Sequence, residues 1–384
     1  MTEFSTIPQN QIRCDYFPQC SGCEIHDHVT HPPIYNDVII FFKSIDPSLS
    51  VPLFHQDIIG WRVRSKLAVR GSDLNPAIGL FKKGTHQVVS IPHCPLHHPS
   101  INQAYDCVQK KIISLKLQPY REQQRTGMLR YLQFVTERKS GKVQLTLVVN
   151  TSQKSHEIDS FVKQLYNTRL FSGIWLNYQP DSTNRIFSDH WELGWGDPYL
   201  WESILGISFA FHPACFAQAH LQLFESMLRS IQQSIFPDCR VIEFYAGIGV
   251  IGLSVAALSS HVICSEINPY TEECFHLSSS KLDLDIQKRV SFSLGSAEKL
   301  KDLIDSSEVL IVDPPRKGID PSLMEKILLT PYLKQIIYVS CGFESFKKDC
   351  MKLLEKGWKV QKAETYLFFP GTNHLETLAI FHRP

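Results

Sequence analysis

Apolar and polar positions follow two different rhythms along this chain, and the change falls near residue 205. Before it the period is two. In Arg62-Val-Arg-Ser-Lys-Leu-Ala-Val-Arg70, Val63, Leu67 and Val69 fall on one side and Arg62, Arg64, Lys66 and Arg70 on the other. That is the alternation of a strand with one covered face. Residues 127–134, 143–149 and 173–178 read as further strands, and 36–48, 101–118 and 154–168 as helices. The stretch from 51 to about 200 is therefore expected to be an α+β module. Beyond 205, short continuous apolar runs alternate with segments of helical period. Strands are expected near 240–244, 261–266, 289–294, 309–313, 335–340, 358–365 and 376–382, and helices near 217–235, 249–258, 269–283, 321–329 and 343–355. This succession predicts an α/β fold with a doubly wound, mostly parallel sheet.

Three of those strands end in residues that carry chemistry. One runs into Glu243-Phe-Tyr-Ala-Gly247-Ile-Gly249, a second into Asp313-Pro-Pro-Arg316, and a third into Tyr338-Val-Ser-Cys341. Ligands of open α/β sheets bind outside the carboxyl ends of the strands. The glycines of the first loop permit a tight turn, and Glu266, at the end of the next strand, is placed to hold two ribose hydroxyls. By itself this pattern also fits a dinucleotide fingerprint, so nicotinamide dinucleotide and S-adenosylmethionine both remain open; Glu243 suits the latter. The prolines stiffen the second loop and fix Asp313 for a cofactor or a flat heterocycle, unless the segment is an ordinary turn. Cys341 stands just before an expected helix, whose N-terminus favours a thiolate. Glu376 opens the last strand as either a general base or a paired structural ion.

Composition adds three points. The chain has 384 residues, no apolar run long enough to span a membrane, and a polar, acidic start at residues 1–5, so a cytoplasmic protein is expected. Its 11 cysteines are scattered, which favours thiols, metal ligands or a nucleophile over a disulfide framework. The formal net charge of +1 hides an asymmetry: residues 51–150 hold 15 lysines and arginines against 5 aspartates and glutamates, while the remainder holds 24 against 33. A basic module joined to an acidic one points to a polyanionic partner or to a solvated basic face.

A thiol, a carboxylate and a nucleoside-cofactor loop on one sheet edge match the needs of carbon 5 of uracil. That carbon takes a methyl group only after a thiolate adds at carbon 6, and a base must then remove its proton. Phe216-Ala-Gln218, the Glu243–Gly249 loop, Asp313-Pro-Pro-Arg-Lys-Gly318, Ser340-Cys341 and His374-Leu-Glu376 together resemble the S-adenosylmethionine-dependent RNA (uracil-5-)-methyltransferases. The resemblance implies a class I methyltransferase domain over 205–384, with Cys341 as nucleophile and Glu376 as base. It implies cofactor contacts from Gln218, Tyr245, Gly247, Glu266, Asp313 and Ser296. Cys14, Cys20 and Cys23, with Cys94, resemble the four-cysteine [4Fe–4S] site of the 23S rRNA-modifying branch, although four thiolates also suit zinc. Residues 1–50 with the Cys94 loop are then the cluster segment, and 51–204 the RNA-binding module. Arg62, Arg64, Lys66, Arg70, Arg130 and Tyr131 are expected on RNA. The expected substrate is 23S rRNA, with tRNA second, acted on by a monomer. Cytosine-5 methylation and a non-catalytic RNA-binding or chaperone role are the alternatives. The chain departs from the family pattern at Val250, Gly342-Phe343, Leu367 and Gly371.

Overall fold

A computed structural model describes residues 10–383, so the chain start read at 1–5 lies outside the described residues. The chain forms two compact units. One comprises the residues up to Val29, Asp57–Glu202 and His212–Ala214; the other comprises Thr30–Gln56, Ser203–Phe211 and Cys215 onward. Residues 30–56 therefore pack within the second unit, unlike the division drawn from the sequence. The cause is apolar burial. Helix Ile34–Ile45 buries Val38 and Phe42 completely, and the Phe42 ring lies 5.7 Å from that of Phe346.

The second unit is built on eight strands: β1 Leu53–Phe54, β2 Arg240–Phe244, β3 His261–Glu266, β4 Val290–Leu294, β5 Val309–Val312, β6 Gln335–Ser340, β7 Lys359–Tyr366 and β8 Glu376–His382. Their order is β1-β7-β8-β6-β5-β2-β3-β4. Strands β2 to β6 are parallel, and β8 runs antiparallel between β6 and β7. Every residue of β5 and β6 is buried, which is why both read as unbroken apolar runs. The chain leaves β2 toward β3 and β4 and then returns to β5, so the switch point lies between β2 and β5. Because β8 is reversed, its first residue sits at the carboxyl edge of the parallel strands. Thr377 pairs with Ser340, and Glu376 with Tyr366.

The first unit holds a seven-stranded sheet in which Arg64–Gly71 lies between Pro76–Phe81 and Leu129–Thr136. Helices Pro99–Ser114 and His156–Tyr166 contribute Tyr105, Val108, Phe161 and Leu165 to its core. The strands Pro76–Phe81, Val88–Ser90 and Trp191–Gly196 escape the sequence reading. They are short or interrupted by glycine, which weakens a period-two signal. No helix among the described residues is long and apolar enough to cross a membrane.

Candidate active site

The turn after β2 is fixed by backbone geometry. Tyr245 adopts a left-handed φ of 62°, and the Gly249 N–H closes on the Ala246 carbonyl at 2.8 Å. Glu243 lies beneath this turn, 1% exposed. Its carboxylate accepts the Gly252 N–H at 2.8 Å. A side chain at 252 would place Cβ 2.6 Å from that carboxylate and 2.5 Å from the Cys264 sulfur, so only glycine fits. Burial pushes the Glu243 carboxyl up to about 8. Glu266, at the end of β3, accepts three backbone N–H groups, from Gly247 at 3.0 Å, Ile267 at 2.8 Å and Asn268 at 3.1 Å. These orient its carboxylate at the cavity rim.

The loop after β5 is tied down on three sides. The Asp320 N–H donates to the Tyr245 hydroxyl at 3.0 Å, the Ile319 N–H to Asp349 at 2.9 Å, and the Ser345 hydroxyl to the Arg316 carbonyl at 2.8 Å. Asp349 is buried and also accepts the Tyr338 hydroxyl at 2.9 Å. Asp313 opens this loop. Burial, and then the charge of Glu266, raise its carboxyl well above the usual aspartate range.

Cys341 follows β6 and is half-buried. Burial pushes its thiol up to about 11, and Glu376 and Asp313 push the same way, while Arg316 pulls it down. The thiolate expected from the following helix, Phe343–Glu355, is thus not favoured in the free protein. A helix terminus offers about 0.3–1 kcal/mol, short of the roughly 1.4 kcal/mol behind a tenfold change in ionisation. Gly342 explains one departure from the family pattern. A Cβ there would stand 2.8 Å from the Arg316 carbonyl oxygen and 2.9 Å from the Ser345 hydroxyl, so the Cys341 and Asp313 loops touch only because this residue has no side chain.

Glu376 is 4% exposed. Burial and then the charge of Asp313 raise its carboxyl, with Arg316 opposing, and Oε2 has no hydrogen-bond partner among the described residues. A cavity of about 690 Å³ gathers Gln218, Tyr245, Gly247, Glu266, Ser296, Asp313, Cys341 and Glu376, the residues expected on this edge. It also holds Phe216, Ser265, Ile267 and Arg316, which were not assigned a contact from sequence. Phe216 and Ile267 are 66% exposed; Phe216 opens the Phe216-Ala-Gln218 motif, whereas Ile267 is marked in the sequence only by its place after Glu266. The size suits a nucleoside cofactor with room beside it.

The tRNA (uracil-5-)-methyltransferase family model matches residues 206–383. An uncharacterized RNA methyltransferase of Protochlamydia amoebophila is 43% identical over 98% of this chain and 99% of its own length. The chain belongs to the RNA (uracil-5-)-methyltransferase family. An uncharacterized RNA methyltransferase of Listeria monocytogenes is 27% identical, across 100% of this chain and 86% of its own length. Among solved structures, the Pyrococcus abyssi tRNA (uracil-54, C5)-methyltransferase in complex with S-adenosyl-L-homocysteine superposes with a TM-score of 0.73 at 21% identity, covering 95% of this chain and 86% of that one. It shares the mixed α/β methyltransferase fold.

The first unit of this methyltransferase corrects part of the basic-strand reading. Arg70 is 7% exposed and ion-paired with Glu122. It also donates to the carbonyls of Val69 and Arg130, each at 2.8 Å. Arg130 is 4% exposed and donates to the carbonyls of Gln179 at 2.6 Å and Asp181 at 2.7 Å. Both guanidiniums are buried and engaged by groups within the unit. Arg64 donates to the Gln133 side chain at 2.9 Å, whereas Lys66 is exposed.

Cys14, Cys20, Cys23 and Cys94 come together around one cavity of about 180 Å³, and all four are free thiols. Burial pushes the Cys23 thiol up to about 12, and its three neighbours add to the effect. The Cys94 turn is anchored by a polar chain. Ser65 and His97 Nε2 lie 2.9 Å apart, His97 Nδ1 and Asn102 Oδ1 3.2 Å apart, and Asn102 donates to the Cys94 carbonyl at 3.1 Å. Both nitrogens of His97 are thereby engaged within the protein. Among the described residues no three Cys, His, Asp or Glu gather tightly enough to hold a metal ion. Four thiols lining one cavity are the donor set that either an iron–sulfur cluster or a zinc ion would use.

Proposed function

We propose that this enzyme methylates carbon 5 of a uridine in 23S rRNA, with Cys341 as nucleophile and Glu376 as base. The observation that carries the reading is the unpartnered buried oxygen of Glu376 in the same cavity as the Cys341 thiol. A buried carboxyl oxygen left without a hydrogen-bond partner is costly unless it has work to do. In the proposed sequence the Cys341 sulfur adds to carbon 6 of the ring, making carbon 5 nucleophilic. Bound S-adenosylmethionine supplies an electrophilic methyl group at its sulfonium sulfur. Glu376 then takes the proton from carbon 5, and the returning electron pair expels the Cys341 thiolate. Gln218, Tyr245, Gly247, Glu266 and Asp313 would hold the cofactor. Arg316 opposes the acids that raise the Cys341 thiol and so helps it ionise. We further propose that Cys14, Cys20, Cys23 and Cys94 hold a [4Fe–4S] cluster, and this resemblance to the rRNA-modifying branch favours rRNA over tRNA.

Release of tritium from RNA labelled at carbon 5 of uridine tests the chemistry, with rRNA and tRNA supplied separately. Cofactor-dependent release from rRNA, abolished in Cys341→Ala while S-adenosylmethionine still binds, is the expected result. Release by Cys341→Ala rules out the covalent route, and release from tRNA alone reassigns the substrate.

A further inference from the structure

The cysteine cavity holds fixed positive charge and, among the described residues, no carboxylate. Arg62 and Lys66 both line it. Lys66 is exposed, with its ammonium 4.8 Å from the Phe187 ring centre. Arg62 is half-buried, and its guanidinium lies 4.6 Å from the centre of the Trp61 ring. The backbone holds Arg62 to the turn that carries Cys94. Its N–H donates to the Leu96 carbonyl at 2.9 Å, its carbonyl accepts the His98 N–H at 2.9 Å, and the Gly60 N–H donates to the Pro95 carbonyl at 2.8 Å. Trp61, on which the guanidinium stacks, is 6% exposed. The backbone of Arg62 is therefore fixed to the Cys94 turn on both sides, and its guanidinium lines the cavity while resting on the buried Trp61 ring.

We propose that Arg62 is the built-in counter-ion of the iron–sulfur cluster. It holds the cluster against loss of iron and raises its reduction potential. The inference rests on the cluster reading proposed above. A [4Fe–4S] group on four thiolates is a net anion, and one-electron reduction makes it more negative. A cation held close by in a partly desolvated cavity stabilises both states and the reduced one more. Replacing the charge must lower the potential, because the reduced cluster loses more.

The test uses the full chain purified without oxygen, as wild type, Arg62→Gln, Arg62→Lys and Arg62→Met. Iron and sulfide content, bleaching by an iron chelator, and a dithionite titration with redox mediators are measured, and circular dichroism checks folding. Arg62→Gln is expected to bleach about ten times faster than wild type and to show a more negative potential, with Arg62→Lys close to wild type. Arg62→Met keeps an unbranched stem over Trp61 and carries the test if Arg62→Gln does not fold. A brown wild type whose folded Arg62→Gln and Arg62→Met match it in bleaching and potential removes the inference and leaves the cluster. A colourless wild type without iron removes the cluster reading and the inference with it.

Discussion

Burial raises the carboxyls of Glu243, Asp313 and Glu376 above the ordinary carboxylate range. The consequence reaches stability. A carboxyl whose folded pKa is raised binds its proton more tightly folded than unfolded. Its contribution is fully present below about pH 4.5 and is lost as pH rises through the folded value, about 8 for Glu376. The ligand-free protein is therefore expected to melt at a lower temperature at pH 8.5 than at pH 5.5. Glu376→Gln mimics the protonated state. It should raise the melting temperature by about 5 °C at the higher pH and change it little at the lower. Scanning calorimetry at both pH values checks this, and an equal effect at both would mean that Glu376 is not held protonated near neutrality. Burial, more than these acids, pushes the Cys341 thiol up to about 11.

Loop contact sets the site at the scale of elements. Gly342 lets the Cys341 turn meet the Arg316 backbone, and Ser345, in the first turn of helix Phe343–Glu355, bonds the same carbonyl. Gly342→Ala is expected to force the two loops apart by a few tenths of an ångström. It should cost about 1–3 kcal/mol in stability and lower kcat/KM by about ten- to a hundredfold, with S-adenosylmethionine affinity nearly kept because Glu266 and Gly247, proposed to hold it, lie outside both loops. Single-turnover kinetics and calorimetric titration separate these effects; unchanged turnover would mean the contact does not position Cys341. This contact also marks the limit of what the sequence reveals. Strands β5 and β6 were legible because full burial leaves unbroken apolar runs, and the candidate site residues Asp313 and Cys341 stood out because they follow those runs. Arg70 and Arg130 were misread because their acceptors, Glu122, Gln179 and Asp181, lie dozens of residues away. A period-two pattern reports which face a residue takes and not what it meets there. The partner of helix Ile34–Ile45 was hidden for the same reason.

At the scale of the whole molecule, residues 30–56 matter more than their length suggests. They supply the edge strand β1, which pairs with β7 at Leu53–Thr365 and Phe54–Tyr366. The Pro52 carbonyl accepts the Thr365 N–H at 2.9 Å, the Phe54 carbonyl the Leu367 N–H at 2.9 Å, and the Asn373 side chain the Ile34 N–H at 2.9 Å. Helix Ile34–Ile45 adds an aromatic cluster, with Phe41 centred 5.7 Å from Phe343 and 6.3 Å from Phe346. Without this segment, the face of helix Phe343–Glu355 that carries those rings is bared, and the edge of β7 with it. Phe343 immediately follows the Cys341 turn, so the loss reaches the catalytic edge. A fragment of residues 205–384, which covers the stretch matched by the family model, is therefore expected to aggregate or to melt well below the intact protein. The same fragment preceded by residues 30–56 on a flexible linker should be soluble and bind S-adenosylmethionine. Comparing the two by size-exclusion chromatography and calorimetry decides the point. A monomeric 205–384 fragment that binds the cofactor as tightly as the linked form would show that the catalytic sheet closes its core without the N-terminal helix.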